Sequence, residues 1–427
     1  MLFQPNGSTR AIGVAAVLAL FAICNMARAS TYDVLHTFCS KGNCADGSMP
    51  SGGLAADQQG NLYGVTLDGG KNNSGALYEL VAEGSGKWKY QVVYSFCACD
   101  KAFQPVGNLV LDTAGNIYGV TATGDTGGVV YELPAAGRSR KLALLYAFCS
   151  QAGCADGLAP SAGLTYAGQS SGAFYDGSSP LYGVTSQGGA NGSGVAYVLQ
   201  SQNGSWTEAK LYDFCATGGA TCTDGKNPGA QLLVQGSDTL YGTAFGGTAA
   251  NDGVVFKLVS HRGNWKESVV HTFCAKADCA DGSQPEGSLS FDSGGNLLGT
   301  TAHGGSPCQS ICGTVFRLSP KGKESVLHVF CQETNCADGE EPEGGVLVDA
   351  SGNLFATTAE GGDNREGAVF ELSGTFQIVH SFCAVQNCTD GDFPVAPLYE
   401  DAAGTLYGTT PSNGGFGSGG VAFGLTP

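Results

Sequence analysis

Residues 50–80 read PSGGLAADQQGNLYGVTLDGGKNNSGALYEL, and copies of this stretch occur seven times along the chain. Each copy holds three short apolar runs separated by turns rich in Asp, Gly and Asn. Apolar runs of this length, bounded by turn residues, indicate β-strands. The copies follow one another every ~52 to 64 residues, a period typical of repeat proteins whose units stack into one continuous core.

Each copy contributes its strands in the same order. The second run resembles Leu-Tyr-Gly and begins at Leu62, Ile117, Leu181, Leu240, Leu297, Leu354 and Leu406. The third run ends at Leu80, Leu133, Leu199, Leu258, Leu318, Leu372 and Leu425. A fourth run ends in Phe-Cys, with its phenylalanine at Phe96, Phe148, Phe214, Phe273, Phe330 and Phe382.

The two ends of the chain complement each other. The last copy stops after its third run, at Leu425, and the missing fourth run stands near the start of the chain as Val34–Phe38. A first strand that completes the last unit closes a ring and removes an open sheet edge. We therefore predict an all-β fold, a seven-bladed β-propeller of four-stranded blades, with residues 30–427 as a single domain. The alternative is a β-solenoid, but a solenoid would not need an N-terminal strand that supplies the one missing from the last repeat.

The sequence also predicts where the strands lie within a blade. The Gly-Leu runs, such as Gly53-Leu54 and Gly163-Leu164, should be innermost because small residues fit a crowded axis. The Phe-Cys strand should be outermost. Loops after the outer strand and after the second strand then leave on one face, and these variable loops are the better candidates for binding.

Composition agrees with a turn-rich β protein and excludes some partners. The chain has 427 residues, of which 68 are glycine and only 13% are charged. Its net charge of −17 would repel nucleic acids and anionic membrane surfaces, so we expect neither as a partner. We expect a monomer.

Residues 1–29 have the organisation of a signal peptide. Arg10 supplies a positive charge, Ala11–Met26 is an apolar run too short for a typical membrane span, and Ala27-Arg28-Ala29 is an A-x-A cleavage site. We predict a mature protein that begins near Ser30, is secreted or periplasmic, and does not insert into a membrane after cleavage.

The repeats resemble those of the bacterial GloVer tandem-repeat family. A representative copy contains Asp281-Gly282, Pro285, Gly295–Gly299 and Gly313–Phe316. It departs from the family pattern at Leu298, where the pattern has Tyr. The resemblance covers nearly the whole predicted mature chain and implies an exported protein. It implies no established activity.

Sixteen of the 17 cysteines follow the predicted signal peptide, and most stand in the motif Phe-Cys-x4-Cys-x-Asp-Gly. An even number in an exported chain favours disulfides over metal ligands, and we expect neither a metal nor a cofactor. Pairs spread round a ring would not bring four zinc ligands together. The predicted pairs are Cys39/Cys44, Cys149/Cys154, Cys215/Cys222, Cys274/Cys279, Cys308/Cys312, Cys331/Cys336 and Cys383/Cys388. The state of Cys97/Cys99 stays open, because a single residue separates them.

Three other residue types recur at fixed positions. The aspartates of the Cys-x-Asp-Gly turns could bind Ca²⁺, but one carboxylate per loop is poor ligation and a turn role is favoured. The histidines interchange with tyrosine on the outer strands, which indicates packing. The tryptophans either cover hairpins or offer a platform for a sugar. The residues are Asp46, Asp156, Asp224, Asp281, Asp338 and Asp390; His36, His271, His328 and His380; and Trp88, Trp206 and Trp265.

Catalytic motifs are absent or accidental. GQSSG at 168–172 and GFGSGG at 415–420 match enzyme patterns, but no helix pattern follows either. We predict a scaffold that binds an extracellular glycan or protein on its loop-rich face. The alternative is a carbohydrate-active or other hydrolytic enzyme with a site near the axis. Its first candidate residues are those that break the repeat, namely Glu286, Glu343, Arg365 and Glu366.

Overall fold

A computed structural model describes residues 30–135, 140–218, 221–247, 252–307, 311–413 and 419–427. The predicted signal peptide at 1–29, Cys308, and most of the glycine-rich motif at 415–420 lie outside these ranges. No helix in the described part of the chain is long and apolar enough to cross a membrane.

The described residues form seven antiparallel sheets, which are the blades of a propeller and are numbered here in chain order. Blade 1 consists of Ser48–Pro50, Ala55–Ala56, Leu62–Asp68, Ala76–Gly84 and Lys87–Ser95. Blade 2 consists of Ala102–Leu111, Ile117–Gly124, Val129–Leu133 and Ala143–Ala147. Blade 3 consists of Leu158–Pro160, Leu181–Gln187, Val195–Gln202 and Ser205–Asp213. Blade 4 consists of Lys226–Pro228, Leu233–Gln235, Thr239–Gly246, Val254–His261 and Asn264–Thr272.

The last three blades follow the same plan. Blade 5 consists of Ser290–Phe291, Leu297–Thr301, Thr314–Leu318 and Glu324–Val329. Blade 6 consists of Leu347–Val348, Leu354–Thr358, Ala368–Leu372 and Phe376–Ser381. Blade 7 consists of Tyr399–Glu400, Leu406–Thr410, Val421–Thr426 and the N-terminal strand Thr31–Thr37. Helix in the described ranges is confined to one-turn 3₁₀ segments at Gly42–Cys44, Ala98–Asp100, Ala152–Cys154, Gln169–Ser171, Ala277–Cys279, Thr334–Cys336 and Gln386–Cys388.

The N-terminal strand closes the ring as predicted. Thr31–Thr37 pairs antiparallel with Val421–Thr426 as the outer strand of blade 7. At the axis, the hydroxyl of Thr409 in blade 7 donates a hydrogen bond of 3.0 Å to the carbonyl of Gly52 in blade 1. The seven-bladed, all-β prediction is confirmed.

The innermost segment is interrupted in blades 1 and 3. Gly53-Leu54 and Gly163-Leu164 lie in the innermost segment, but each falls between two short pieces that pair with the second strand. Crowding explains the glycine at 163, since a Cβ there would lie 2.4 Å from the backbone oxygen of Asn108 in the next blade. Inner segments of neighbouring blades thus touch through their backbones.

One core position of the third strands buries a hydroxyl group that has no hydrogen-bond acceptor among the described residues. The third strands carry Tyr78, Tyr131 and Tyr197 in blades 1 to 3 and phenylalanine at the same position in blades 4 to 7. All three tyrosines are fully buried, and their hydroxyls have no hydrogen-bond partner among the described residues. Burying an unpaired hydroxyl costs free energy.

Tyr131→Phe should therefore leave the free energy of unfolding unchanged or raise it by up to ~1 kcal/mol. The matched control is Tyr118→Phe, because the Tyr118 hydroxyl lies 3.2 Å from a carboxylate oxygen of Asp112. That control should lose stability. Urea denaturation of both variants measures the difference, and a clear loss in Tyr131→Phe would contradict it.

Candidate functional site

The two sets of variable loops meet on one face of the ring, which we call the loop face. The loop that follows each outer strand and holds a pair of cysteines is called a Cys hairpin. The amide of Gly70, after the second strand of blade 1, donates a hydrogen bond of 2.9 Å to the carbonyl of Cys44 in such a hairpin. The same bond joins Gly189 to Cys154, Gly305 to Cys279 and Gly362 to Cys336. The opposite side carries the Asp-x-x-Gly-Asn turns and is called the turn face.

The aspartates of the Cys hairpins are internal supports. All six are at most 3% exposed. Each carboxylate accepts two backbone amide hydrogen bonds across its own hairpin, as Asp281 does from Ala275 and Lys276 at 3.2 Å each. This geometry uses the carboxylate to fix the loop and supports the turn role over a calcium site.

The recurrent His or Tyr of the outer strand faces this aspartate. His36 Nε2 lies 3.3 Å from Asp46 Oδ2, and the Tyr146 hydroxyl donates a hydrogen bond of 2.9 Å to Asp156. The other three histidines pair in the same way with aspartates of three different hairpins. Burial lowers the pKa of His36 to about 4, although Asp46 opposes the shift. The histidines are therefore parts of the hairpin supports, as their interchange with tyrosine indicated.

The cysteines of seven hairpins form disulfide-like pairs. Their Cα atoms are 3.9 to 5.1 Å apart. The pair Cys97/Cys99, left open by the sequence, is one of them. Disulfide formation stays a prediction, and peptide mapping under non-reducing conditions should find local pairs rather than free thiols.

Two of the predicted disulfide cysteines, Cys222 and Cys312, are more buried than the others that stand second in their pairs. Their side chains are buried, at 6% and 3% exposure, whereas the second cysteines of the five Cys-x4-Cys hairpins are only half-buried. Cys222 stands seven residues after Cys215 instead of five, and the Cα atoms of this pair are 4.4 Å apart. The longer spacing therefore still leaves the two cysteines as a disulfide-like pair.

Cys312 differs from the other predicted disulfide cysteines in its place in the blade. It lies outside the Cys hairpins, just before the third strand of blade 5, and its carbonyl accepts a hydrogen bond of 3.1 Å from the Glu341 amide near blade 6. This contact between blades accounts for part of its burial. The predicted partner, Cys308, is outside the described residues, so the pair Cys308/Cys312 stays a prediction.

The tryptophans pack between blades. Trp88 in blade 1 lies edge-on to Tyr407 of blade 7, and Trp265 in blade 4 packs in the same way on Tyr182 of blade 3. Trp206 faces Tyr118 of blade 2 at 6.4 Å. These contacts favour the covering role over a sugar platform.

A cavity of about 300 Å³ opens at the centre of the loop face. All seven blades line it with the first residues of their inner segments. At one repeat position these residues are Ser51, Val106, Ser161, Gly229, Glu286, Glu343 and Val395. The two glutamates therefore place carboxylates at the axis on blades 5 and 6 alone. Arg365 and Glu366 are not among the described residues that line this cavity.

Two polar side chains close the floor of the cavity. Asn108 Nδ2 donates a hydrogen bond of 3.0 Å to Gln231 Oε1, joining blade 2 to blade 4 across the axis. Asn108 Oδ1 accepts from the Gly53 amide, and Gln231 Nε2 donates to the Leu164 carbonyl, both at 2.6 Å. Asn108 and Gln231 also line a second axial cavity on the turn face. The pair thus lies between the two axial cavities.

The wall on blades 5 and 6 is acidic, which changes the protonation of its members. Burial, together with the charges of Glu286, Glu341 and Glu360, raises the pKa of Glu343 to about 7. Burial likewise raises the pKa of Glu286. Glu341 Oε1 lies 3.3 Å from Nε2 of His303, a cationic partner when that ring is protonated. Near neutral pH, this wall can both donate and accept protons in hydrogen bonds.

The repeats and the fold together identify the family. The profile of the Gloeobacter/Verrucomicrobia repeat matches residues 19–219 and 176–423, which is nearly the whole chain. The chain belongs to this family. No curated protein matches it.

Solved structures resemble this repeat protein only distantly. A protein of unknown function from Dyadobacter fermentans is 13% identical, with a TM-score of 0.44 over 93% of this chain and 99% of that one. An α-L-arabinanase of Penicillium chrysogenum, solved with arabinobiose, is 11% identical, with a TM-score of 0.45 over 74% and 91%. Similarities of this size say nothing about substrate or chemistry here.

Sequence reasoning placed Glu286 and Glu343 near the axis but missed the floor of the site. Asn108 and Gln231 occupy the position before the inner Leu, where the other five repeats have Gly53, Gly163, Ser288, Gly345 and Pro397. Long polar residues at a position otherwise held by small ones were the available signal. It would have indicated that polar side chains reach the axis of this repeat protein on blades 2 and 4.

The raised pKa of Glu343 predicts a pH-dependent effect on stability. Because folding raises the pKa above its unfolded value, the folded state is favoured at low pH and loses stability as pH rises from about 4.5 to about 7. Glu343→Gln should therefore raise the free energy of unfolding by about 1 to 2 kcal/mol at about pH 8, after allowance for solvent screening, and by little at about pH 5. Thermal melts at both pH values test this, with the exposed Glu83→Gln as control. Equal effects at both pH values would contradict it.

Proposed function

We propose that the protein is an exported, disulfide-stapled scaffold that binds an extracellular glycan or protein at the axial cavity of the loop face. The observation that carries the proposal is the cavity itself, a concave site to which all seven blades contribute. Small-molecule sites are typically concave, with a few placed polar groups among apolar walls. Hairpins braced by buried aspartates would hold such a site rigid, which lowers the entropic cost of binding.

The cavity suits the end of a glycan chain better than a flat protein surface. Its volume accommodates about one or two sugar rings, given ordinary ligand-site volumes of ~300 to 1,000 Å³. The floor presents amide groups of Asn108 and Gln231, and the wall presents Glu286 and Glu343. Amides and carboxyls are suitable partners for sugar hydroxyls, whereas the surplus of carboxyls disfavours acidic sugars.

One observation favours the hydrolytic alternative. Glu343, with a pKa of about 7, has the property required of a general acid at neutral pH, and Glu286 is close enough to influence that pKa. Glycosidases commonly use such a pair of carboxylic acids. In that case Glu343 would protonate the leaving oxygen, and Glu286 would act as base or nucleophile.

Binding and turnover measured on the same purified protein separate the two functions. Screening against polysaccharides and chromogenic glycosides should show binding without turnover, and Asn108→Ala should weaken that binding at least about tenfold. The surface control is Glu83→Gln, which should change nothing. Turnover that disappears in Glu286→Gln or Glu343→Gln would establish the enzyme instead. Wild-type affinity in Asn108→Ala would place the ligand elsewhere.

A further inference from the structure

A long insertion between an inner and a second strand lies at the axis of the turn face. Blade 3 has residues 167–175 before its Asp176 turn, where blade 1 passes directly from Ala56 to the Asp57 turn. Asp176 accepts hydrogen bonds from the Ser178 and Ser179 amides, so an aspartate-capped turn still precedes the second strand after the insertion. The insertion is therefore an addition to the face and not a replacement of its turn.

The insertion is fixed to its neighbours by its own side chains. Tyr175 is fully buried, and it packs edge-on against Tyr118 of blade 2 with ring centroids 5.2 Å apart. The Tyr166 hydroxyl donates a hydrogen bond of 2.6 Å to the Ala173 carbonyl, and the Ser171 hydroxyl donates one of 2.7 Å to the Gly168 carbonyl. The GQSSG motif thus forms one 3₁₀ turn, Gln169–Ser171, rather than the start of a catalytic helix.

This anchored loop holds an aromatic ring in the open. Phe174, next to the buried Tyr175, is 38% exposed. It lines a cavity of about 440 Å³ formed with the inner segments of blades 1 and 2 and with Tyr399 and Glu400 of blade 7. Gln169 lines this cavity and also the adjoining axial cavity of about 180 Å³, where Ser170 lies beside it. An exposed phenylalanine forgoes the stabilising free energy that burial of its ring would contribute, so its exposure in a concave site calls for an explanation.

We propose that this turn-face cavity is a second binding site, specific for a neutral saccharide that stacks on Phe174. The ring supplies an apolar platform, and Gln169, Ser170 and Glu400 supply hydrogen-bonding groups around it. Among the described residues that line the larger cavity, the charged ones are Asp57 and Glu400, so an anionic ligand is disfavoured. Asn108 lines both this cavity and the loop-face cavity, and the proposal does not depend on the function of the loop-face cavity.

The test uses the purified full-length mature protein and three neutral probes, namely cellohexaose, xylohexaose and mannohexaose. Saturation-transfer NMR and calorimetry should detect at least one of them at millimolar concentrations or below. Phe174→Ala should weaken that binding at least about tenfold, while Phe174→Trp retains it. The matched control is Val385→Ala, which truncates an exposed apolar side chain on the loop face and should change nothing.

Phe174 is exposed, so its removal should leave the melting temperature near that of the wild type. Failure of all three hexaoses to bind would overturn the proposal, as would wild-type affinity in Phe174→Ala. Binding that is lost in Glu286→Gln and Glu343→Gln but kept in Phe174→Ala would support the loop-face site and overturn this one.

Discussion

Phe38→Ala should lower the free energy of unfolding by about 3 to 5 kcal/mol, the usual cost of removing a buried phenylalanine. Phe38 is 1% exposed and follows the N-terminal strand that completes blade 7. Its ring packs edge-on against Tyr78 of blade 1, with centroids 4.9 Å apart. The substitution therefore opens a cavity at the junction where the two ends of the chain close the ring.

The matched control for ring closure is Val34→Ala. Val34 lies in the same strand but is 41% exposed, so its truncation should change the free energy of unfolding by less than about 0.5 kcal/mol. Chemical denaturation under non-reducing conditions measures both variants. A loss below about 1 kcal/mol for Phe38→Ala would show that the strand does not pack as described.

Asp281→Asn should destabilise the fold by about 2 to 3 kcal/mol near neutral pH. The carboxylate is fully buried and accepts the amides of Ala275 and Lys276. An asparagine has one acceptor oxygen in place of two, so it leaves an amide unpaired and turns a donor toward it. The exposed Asp278→Asn, in the same hairpin, is the control and should have little effect.

The effect of Asp281→Asn should depend on pH. Burial raises the pKa of Asp281, but His271 and the backbone amides outweigh burial and hold the pKa below its ordinary value. The carboxylate therefore stabilises the fold above its unfolded pKa of about 4, and this contribution is lost as pH falls through the folded pKa. Melts at about pH 7 and about pH 3 should show the difference between variant and wild type shrinking on acidification. A constant difference would mean that the charge of Asp281 is not what supports the hairpin.

The candidate sites show where sequence reasoning reaches its limit. Glu286 and Glu343 stood out because they break a repeat, and the fold brings both to one cavity. Asn108 and Gln231 are 123 residues apart and break the repeat at another position, yet only their contact across the axis reveals a floor. The Phe174 cavity was missed because an insertion in one repeat carries no information about which blades it will cover.

The sequence by itself determined the strands, their order within each blade and the closure of the ring. These follow from local patterns of apolar and turn residues, and from the fourth strand that the last repeat lacks and the start of the chain supplies. All of these features can be read directly along the sequence. Only the tertiary structure decided which side chains meet at the axis and which carboxylates lie close enough to raise the pKa of a neighbour. Those contacts depend on how seven blades pack around the axis, because the packing brings together residues that are far apart in the sequence.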